Sequence, residues 1–150
     1  MTDAALQSLI AEFFAAVSFP EGGAPQYDRI RDVFIPEGLL IKNSGETPEI
    51  SGLDAFIAPR QELVDTGRLT SFDEVEVAAR TEVFGNVAHR LSTYEKRGVQ
   101  DGVAFSAIGI ITTQFIATAA GWRMTAMAWD DERPGLIVPH DYRIATAGRD

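Results

Sequence analysis

The sequence predicts an α+β domain in which about three N-terminal helices cover the concave side of a cone-shaped, strongly bent antiparallel sheet of four long strands plus short ones. Apolar residues recur at helical spacing up to about Val64, switch to alternation after Leu69, and are then divided by hairpin signals centred on glycine. At 150 residues, 45% hydrophobic and 23% charged, the chain buries an ordinary core without disulfides or metals. It reads as one domain over 1–150, with a core of about 5–133 and an extended tail over 134–150.

Leu6, Leu9, Ile10, Phe13, Phe14 and Val17 share one helical face, with Thr2 placed to cap it and Pro20, Gly22 and Gly23 to end it. A shorter helix follows Pro25, with Tyr27, Ile30, Val33 and Phe34 on one face and Pro36 as its stop. Leu39–Ile41 reads as a short buried strand. Ser51-Gly52-Leu53-Asp54 has capping-box spacing, and Phe56, Ile57, Leu63 and Val64 carry a helical stripe to Gly67. Pro59 removes a ladder hydrogen bond and crowds the preceding turn, so this third helix is predicted to be broken.

Beyond Leu69 the alternation of Val75, Val77, Ala79, Thr81 and Val83 with Glu74, Glu76, Ala78, Arg80 and Glu82 marks a strand, its glutamates forming an exposed face. Hairpins are signalled at Phe84-Gly85-Asn86, at Arg97-Gly98 with Asp101-Gly102, and at Ala119-Ala120-Gly121. The predicted strands are 71–83, 86–97, 103–117 and 122–130. The third is apolar on both faces: Val103, Phe105, Ala107, Ile111 and Phe115 against Ala104, Ile108, Ile110 and Ile116. Helices cover only one face of a sheet. The other calls for a second copy of the chain, giving a homodimer through the outer sheet face, or for the C-terminal tail folded over it.

A net charge of −9 disfavours nucleic acid and anionic membranes as partners. Cysteine is absent, which removes disulfides, thiolate metal sites and cysteine nucleophiles and suggests a cytoplasmic location. The apolar stretch Leu9–Val17 follows Asp3 and contains Glu12, so it does not read as a signal peptide; glycines and polar residues interrupt 103–122, so no membrane span is expected.

Val33-Phe34-Ile35-Pro36-Glu37-Gly38-Leu39-Leu40, Glu82-Val83-Phe84-Gly85-Asn86-Val87-Ala88, Ser92-Thr93-Tyr94-Glu95, Gly109-Ile110, Gln114-Phe115, Gly121-Trp122-Arg123 and Trp129-Asp130-Asp131-Glu132-Arg133 form a pattern over about residues 5–133. It resembles the nuclear transport factor 2-like superfamily, a cystatin-like α+β fold that includes ketosteroid isomerase, SnoaL-type polyketide cyclases and scytalone dehydratase, and most of all its small bacterial members of unassigned function. The resemblance implies a pocket between the helices and the concave side of the sheet. At the positions where ketosteroid isomerase carries its tyrosine, its general base and its protonated aspartate, this chain has Phe13, Lys42 and Thr113. None supplies the same chemistry, so steroid-type isomerisation is disfavoured.

The same overlay turns Arg90, Ser92 and Tyr94 inward with Trp122, Met124, Ala126, Ala128 and Asp130, and turns His89, Met127 and Trp129 outward. Asp130 as base and Tyr94 as proton donor are then the catalytic candidates, with Arg90, Ser92, Thr113, Phe13 and Trp122 around a ligand. An Arg90–Asp130 ion pair capped by Tyr94 is the structural alternative. His89 is expected at the surface or an interface and His140 in a loop. Asp130-Asp131-Glu132 has no metal-site spacing with either histidine, and neither metal nor cofactor is expected. The expected function is binding of a small, mostly apolar organic molecule in the cone. The alternatives are an acid–base enzyme of the polyketide-cyclase, dehydratase or isomerase type using Asp130 and Tyr94, and a protein interaction module without a ligand.

Overall fold

The computed structural model describes residues 2–144. Helix α1, Thr2–Val17, buries the face that the spacing predicts, but Thr2 is already helical and is not its cap. Past α1, Phe19 and Phe72 exchange backbone hydrogen bonds of 2.7 and 3.0 Å, tying the linker to the edge strand that spans Leu69–Phe84.

The second helix is reduced to a 3-10 turn, Tyr27–Arg29, running into α2, Ile30–Val33. Strand β1, Phe34–Lys42, starts at once, so Phe34 and Pro36 lie in a strand and not at a helix end. Pro36 fits there because pairing of β1 with the last strand is interrupted between Phe34 and Leu39, where a missing N–H costs no ladder bond. A short strand not foreseen from the sequence, β2 (Glu49–Ser51), pairs with Leu40–Lys42.

With Ser51 held in β2, Gly52 occupies the N-cap position of α3, Leu53–Asp65, and no side chain caps it. The predicted break at Pro59 does not occur. Phe56 and Ile57 anchor one half in the core, and the N–H groups of Thr66, Gly67 and Arg68 close the far end on Glu62, Val64 and Leu63. Anchored at both ends, the helix absorbs one lost hydrogen bond without kinking apart.

Four long strands follow within a few residues of the predicted ones: β3 Leu69–Phe84, β4 Val87–Gln100, β5 Val103–Thr118 and β6 Gly121–Asp131. The curved, six-stranded sheet has the order β2-β1-β6-β5-β4-β3, and all its pairs are antiparallel except β1 with β6. At the second hairpin Asp101 and Gly102 both take positive φ (52° and 76°), the geometry that a two-residue turn requires. Gly98 is not part of that turn; it lies within β4.

Two bulges decide which side chains enter the cone. β3 slips against β4 between Glu76 and Ala78, and β6 slips against β5 so that Gln114 faces Ala126 while Phe115 faces Met124. Each extra residue reverses the alternation beyond it. On β6, Met127, Trp129 and Asp131 therefore point inward and Ala126, Ala128 and Asp130 outward, the reverse of the overlay from Ala126 onward. On β3, Glu74 and Glu76 lie opposite Lys96 and Tyr94 on the inner face, and Val75 and Val77 are the exposed residues. Only Glu82 of the glutamates expected outside remains there, 2.7 Å from the exposed His89.

The core joins α1, α2 and α3 to the inner face through Ile10, Phe13, Phe56, Tyr94, Ile111, Phe115 and Met127. On the outer face, Ile108, Ile110 and Ile116 are half-buried. The tail does not simply extend. It passes a 3-10 turn at His140–Tyr142, buries Val138, and covers Thr93, whose hydroxyl donates to the Tyr142 carbonyl. Positions 145–150 of the predicted tail lie outside the described residues. Among the described residues no helix is long and apolar enough to cross a membrane.

Candidate functional site

Strand β4 sends Arg90, Ser92, Tyr94 and Lys96 into the cone in succession, and β3 meets them with Thr81, Ala79, Glu76 and Glu74. The predicted Arg90–Tyr94–Asp130 cluster is not assembled. Its residues divide between two polar groups with different surroundings.

The first group is sealed. Arg90, 5% exposed, donates from Nε and Nη2 to the two oxygens of Glu76 at 3.0 and 2.7 Å. Its Nη1 donates to Thr81 Oγ1 at 2.7 Å and Asp3 Oδ1 at 3.3 Å, and Ser92 Oγ donates to Glu76 Oε2 at 2.7 Å. Burial pushes the guanidinium down, but Glu76 and Asp3 more than reverse this and hold it above the ordinary arginine value. This is a solvation network for a buried charge, with all three guanidinium nitrogens engaged. Thr113, opposite Arg90 on β5, is buried with its hydroxyl unpartnered, and Trp122 stands at the other end of β6 from Trp129.

The second group lies at the mouth of the cone. The Tyr94 hydroxyl donates to Asp131 Oδ1 and sits 3.1 Å from the Asp130 carbonyl oxygen. To get there it crosses Gly109, where a Cβ would stand 2.2 Å from the hydroxyl oxygen, so only glycine fits. Lys96 Nζ is 3.1 Å from Asp131 Oδ1. Burial first, and then the hydrogen bond and charge of Asp131, raise the Tyr94 pKa and commit its proton to Asp131. The Asp130 carboxylate faces outward, 2.6 Å from Arg133 Nη1. The bulge in β6 therefore removes Asp130 from the cone and substitutes its neighbour.

Beside this group opens a cavity of about 380 Å³, walled by Phe13, Phe56, Phe72, Ile111, Met127 and Trp129 and edged by Lys42, Arg60, Glu74 and Lys96. Phe56 packs edge-on against Trp129 with ring centroids 6.1 Å apart. Of the predicted ligand residues only Phe13 lines this cavity; Arg90, Ser92, Thr113 and Trp122 do not.

Glu74 is the acid–base group that sequence reasoning missed. It is 9% exposed, its backbone N–H donates to Ser18 Oγ at 3.1 Å, and no ion pair among the described residues engages its carboxyl. Burial, and then Asp131, push its pKa up to about 7 against the opposing pull of Lys96 and Arg60. The alternation about Tyr94 held the signal for it: an inward Tyr94 makes Lys96 inward, and the strand partner of Lys96 is Glu74. Arg60 was legible too, as a charge set on the apolar stripe of α3. Its guanidinium carbon lies 3.6 Å from the Phe56 ring centroid, and Nη1 donates to the Phe56 carbonyl at 3.0 Å. Among the described residues no group of three or more His, Asp or Glu side chains is placed to hold a metal ion.

No protein-family model matches the chain, and no curated protein does. Solved structures do. A nuclear transport factor 2-like superfamily protein from Salmonella enterica serovar Typhimurium aligns with a TM-score of 0.69 at 14% identity, over 87% of this chain and 90% of that one. A nuclear transport factor 2-like protein of unknown function from Prochlorococcus marinus aligns at 0.70 and 14%, over 89% and 94%. The LinA-type3 hexachlorocyclohexane dehydrochlorinase from Novosphingobium barchaimii aligns at 0.71 and 14%, over 92% and 94%. The chain has the nuclear transport factor 2-like fold. At such identities the likeness extends to the fold alone, and this fold hosts enzymes and proteins without assigned chemistry alike. What this nuclear transport factor 2-like cone does must come from its own cavity.

Proposed function

We propose that the cone cavity binds a small, mostly apolar organic molecule. The observation that carries this is the cavity itself: about 380 Å³, aromatic-walled, with a few polar groups along one side. The test is a fluorescence titration with an environment-sensitive apolar dye, comparing the wild type with Ile111→Trp, which fills the cavity. Binding at least ~10-fold weaker in the variant, with unfolding unchanged, supports the reading. Equal binding in both overturns it.

A second reading, acid–base catalysis on the bound molecule, is favoured by Glu74. A carboxyl titrating near neutrality beside an apolar cavity suits proton transfer better than Asp130, which faces out, or Tyr94, whose proton is held by Asp131. Loss of turnover in Glu74→Gln with ligand binding retained is its expected mark.

The homodimer belongs to this proposal. The half-buried Ile108, Ile110 and Ile116 and the exposed Val75 give the outer face an apolar surface around the part the tail covers. Sedimentation is expected to show a dimer that Ile116→Glu splits. A cytoplasmic location is proposed with it, since a chain without cysteine needs no oxidising compartment.

A further inference from the structure

We infer that the molecule the cavity takes is an organic acid, its carboxylate or equivalent single negative charge held by Arg60 while its apolar body rests on the aromatic wall. This rests on the cavity-binding reading and names the class of ligand.

The charge distribution leads to it. The chain carries 22 acidic against 13 basic residues and has only two lysines, Lys42 and Lys96. Both lysines and Arg60 line the apolar cavity of the cone. Opposite them stand Glu49, which is exposed, and Glu74. An acidic protein has placed its scarcest charge type where a ligand would lie.

Arg60 is the cation best prepared for an anion. Helical spacing sets Phe56, Arg60 and Leu63 along the face of α3 that looks into the cavity. The guanidinium carbon stands over the Phe56 ring, 3.6 Å from its centroid, and this contact restrains the head group. Of its five N–H donors, one nitrogen's are used on the Phe56 carbonyl, and no carboxylate pairs with it among the described residues. Arg90 shows the contrast: buried in the same fold, it has all three nitrogens engaged by Glu76, Asp3 and Thr81. Burial lowers the Arg60 pKa, so its charge is held at a cost that an incoming anion relieves. A guanidinium held against a ring and by one carbonyl, with donors left free, matches a carboxylate's two oxygens. Lys96 is already engaged by Asp131 at 3.1 Å, which leaves Lys42 as the supporting cation. Glu74 in its neutral form donates to the same anion.

The experiment uses two probes with one apolar body, 2-naphthoate and 2-naphthalenemethanol, titrated calorimetrically at pH 6.5 (a setting of about that value keeps most of Glu74 neutral). The expected result is naphthoate binding at least ~10-fold tighter than the alcohol, with Arg60→Gln abolishing the preference while alcohol binding persists. Arg60→Lys, which keeps the charge but loses the fork, and Lys42→Gln each reduce the preference by a smaller factor, and they carry the test if Arg60→Gln does not fold. Equal affinity for both probes in the wild type, or a preference that survives loss of Arg60, overturns the inference and leaves the cavity-binding reading standing. Failure of both probes to bind removes that reading and the inference with it.

Discussion

Glu74 and Glu76 stand on one face of β3, next to each other in the inward row, and their surroundings make opposite use of the same carboxyl group. Glu76 accepts from Arg90 through both oxygens and from Ser92. Glu74 faces Lys96, but Asp131 has taken that lysine. The difference lies in the neighbouring strands. β4 supplies Glu76 with a full set of donors, whereas β6, through its bulge, supplies Glu74's cross-strand cation with a competing carboxylate. A buried carboxyl is therefore structural where it is saturated and available where it is not, and residue type does not distinguish the two.

The sharpest way to break this contrast is at its sealed end. Arg90→Met leaves the largely buried Glu76 and the partly exposed Asp3 without the counter-charge they share. A loss of about 3–5 kcal/mol in urea-monitored stability is expected at neutral pH. Double replacement of Arg90 and Glu76 by Met and Leu should recover most of it, because the uncompensated charge goes with the pair. A loss below ~1 kcal/mol in Arg90→Met would mean that water reaches Glu76 and that the group is not sealed.

The open end makes the opposite prediction. Glu74 titrates near 7 in the folded chain and near its ordinary value of 4.5 when unfolded, so between these values the folded state holds more protons. Stability then falls as pH rises through that window, and the penalty is complete above about pH 7, where it approaches ~3 kcal/mol. The groups setting it are Lys96 on β4, Asp131 on β6 and Arg60 on α3. Glu74→Gln removes the penalty. The variant is expected to match the wild type near pH 4.5 and to exceed it by up to ~3 kcal/mol at pH 8 in urea titrations. A variant less stable than the wild type at pH 8 would show that the Glu74 carboxylate is paired after all.

This pair also shows what the sequence could and could not reveal. The helical face of α1, the long strands and their hairpins were legible because each rests on local periodicity and on turn chemistry such as Asp101-Gly102. The inward direction of Tyr94 was legible as well. Spacing alone puts Glu74 and Glu76 at the surface, because Val75 and Val77 alternate with them and look like the buried set. It points to Asp130 and not to Asp131 because a bulge leaves no mark in spacing and appears only when two strands are laid in register. The unbroken α3 had the same origin, since what holds Pro59 in a helix is packing from elsewhere in the chain. Charges inside the cone are thus set by cross-strand register, and register is the part of a sheet that a single sequence encodes least directly.

The smallest predicted effect tests that register at one residue. Asp130 and Asp131 are adjacent and chemically identical, and the bulge between Gln114 and Phe115 sends one out and one in. Asp131 serves Tyr94 and Lys96 at the cavity mouth, with its side chain 22% exposed. Asp131→Asn keeps an acceptor for the tyrosine but loses the charge facing Lys96, for an expected cost of about 1–2 kcal/mol. Asp130 pairs only with the exposed Arg133, so Asp130→Asn should change stability by less than ~0.5 kcal/mol. The Asp131 change should also lower the pKa of Glu74, because a neighbouring negative charge has gone and Lys96 is released to face it. That shift is readable as a displaced pH window in the Glu74→Gln comparison. If Asp130→Asn proves the costlier variant and moves that window while Asp131→Asn does neither, the alternation of β6 runs without its bulge, and the cavity mouth holds the other aspartate.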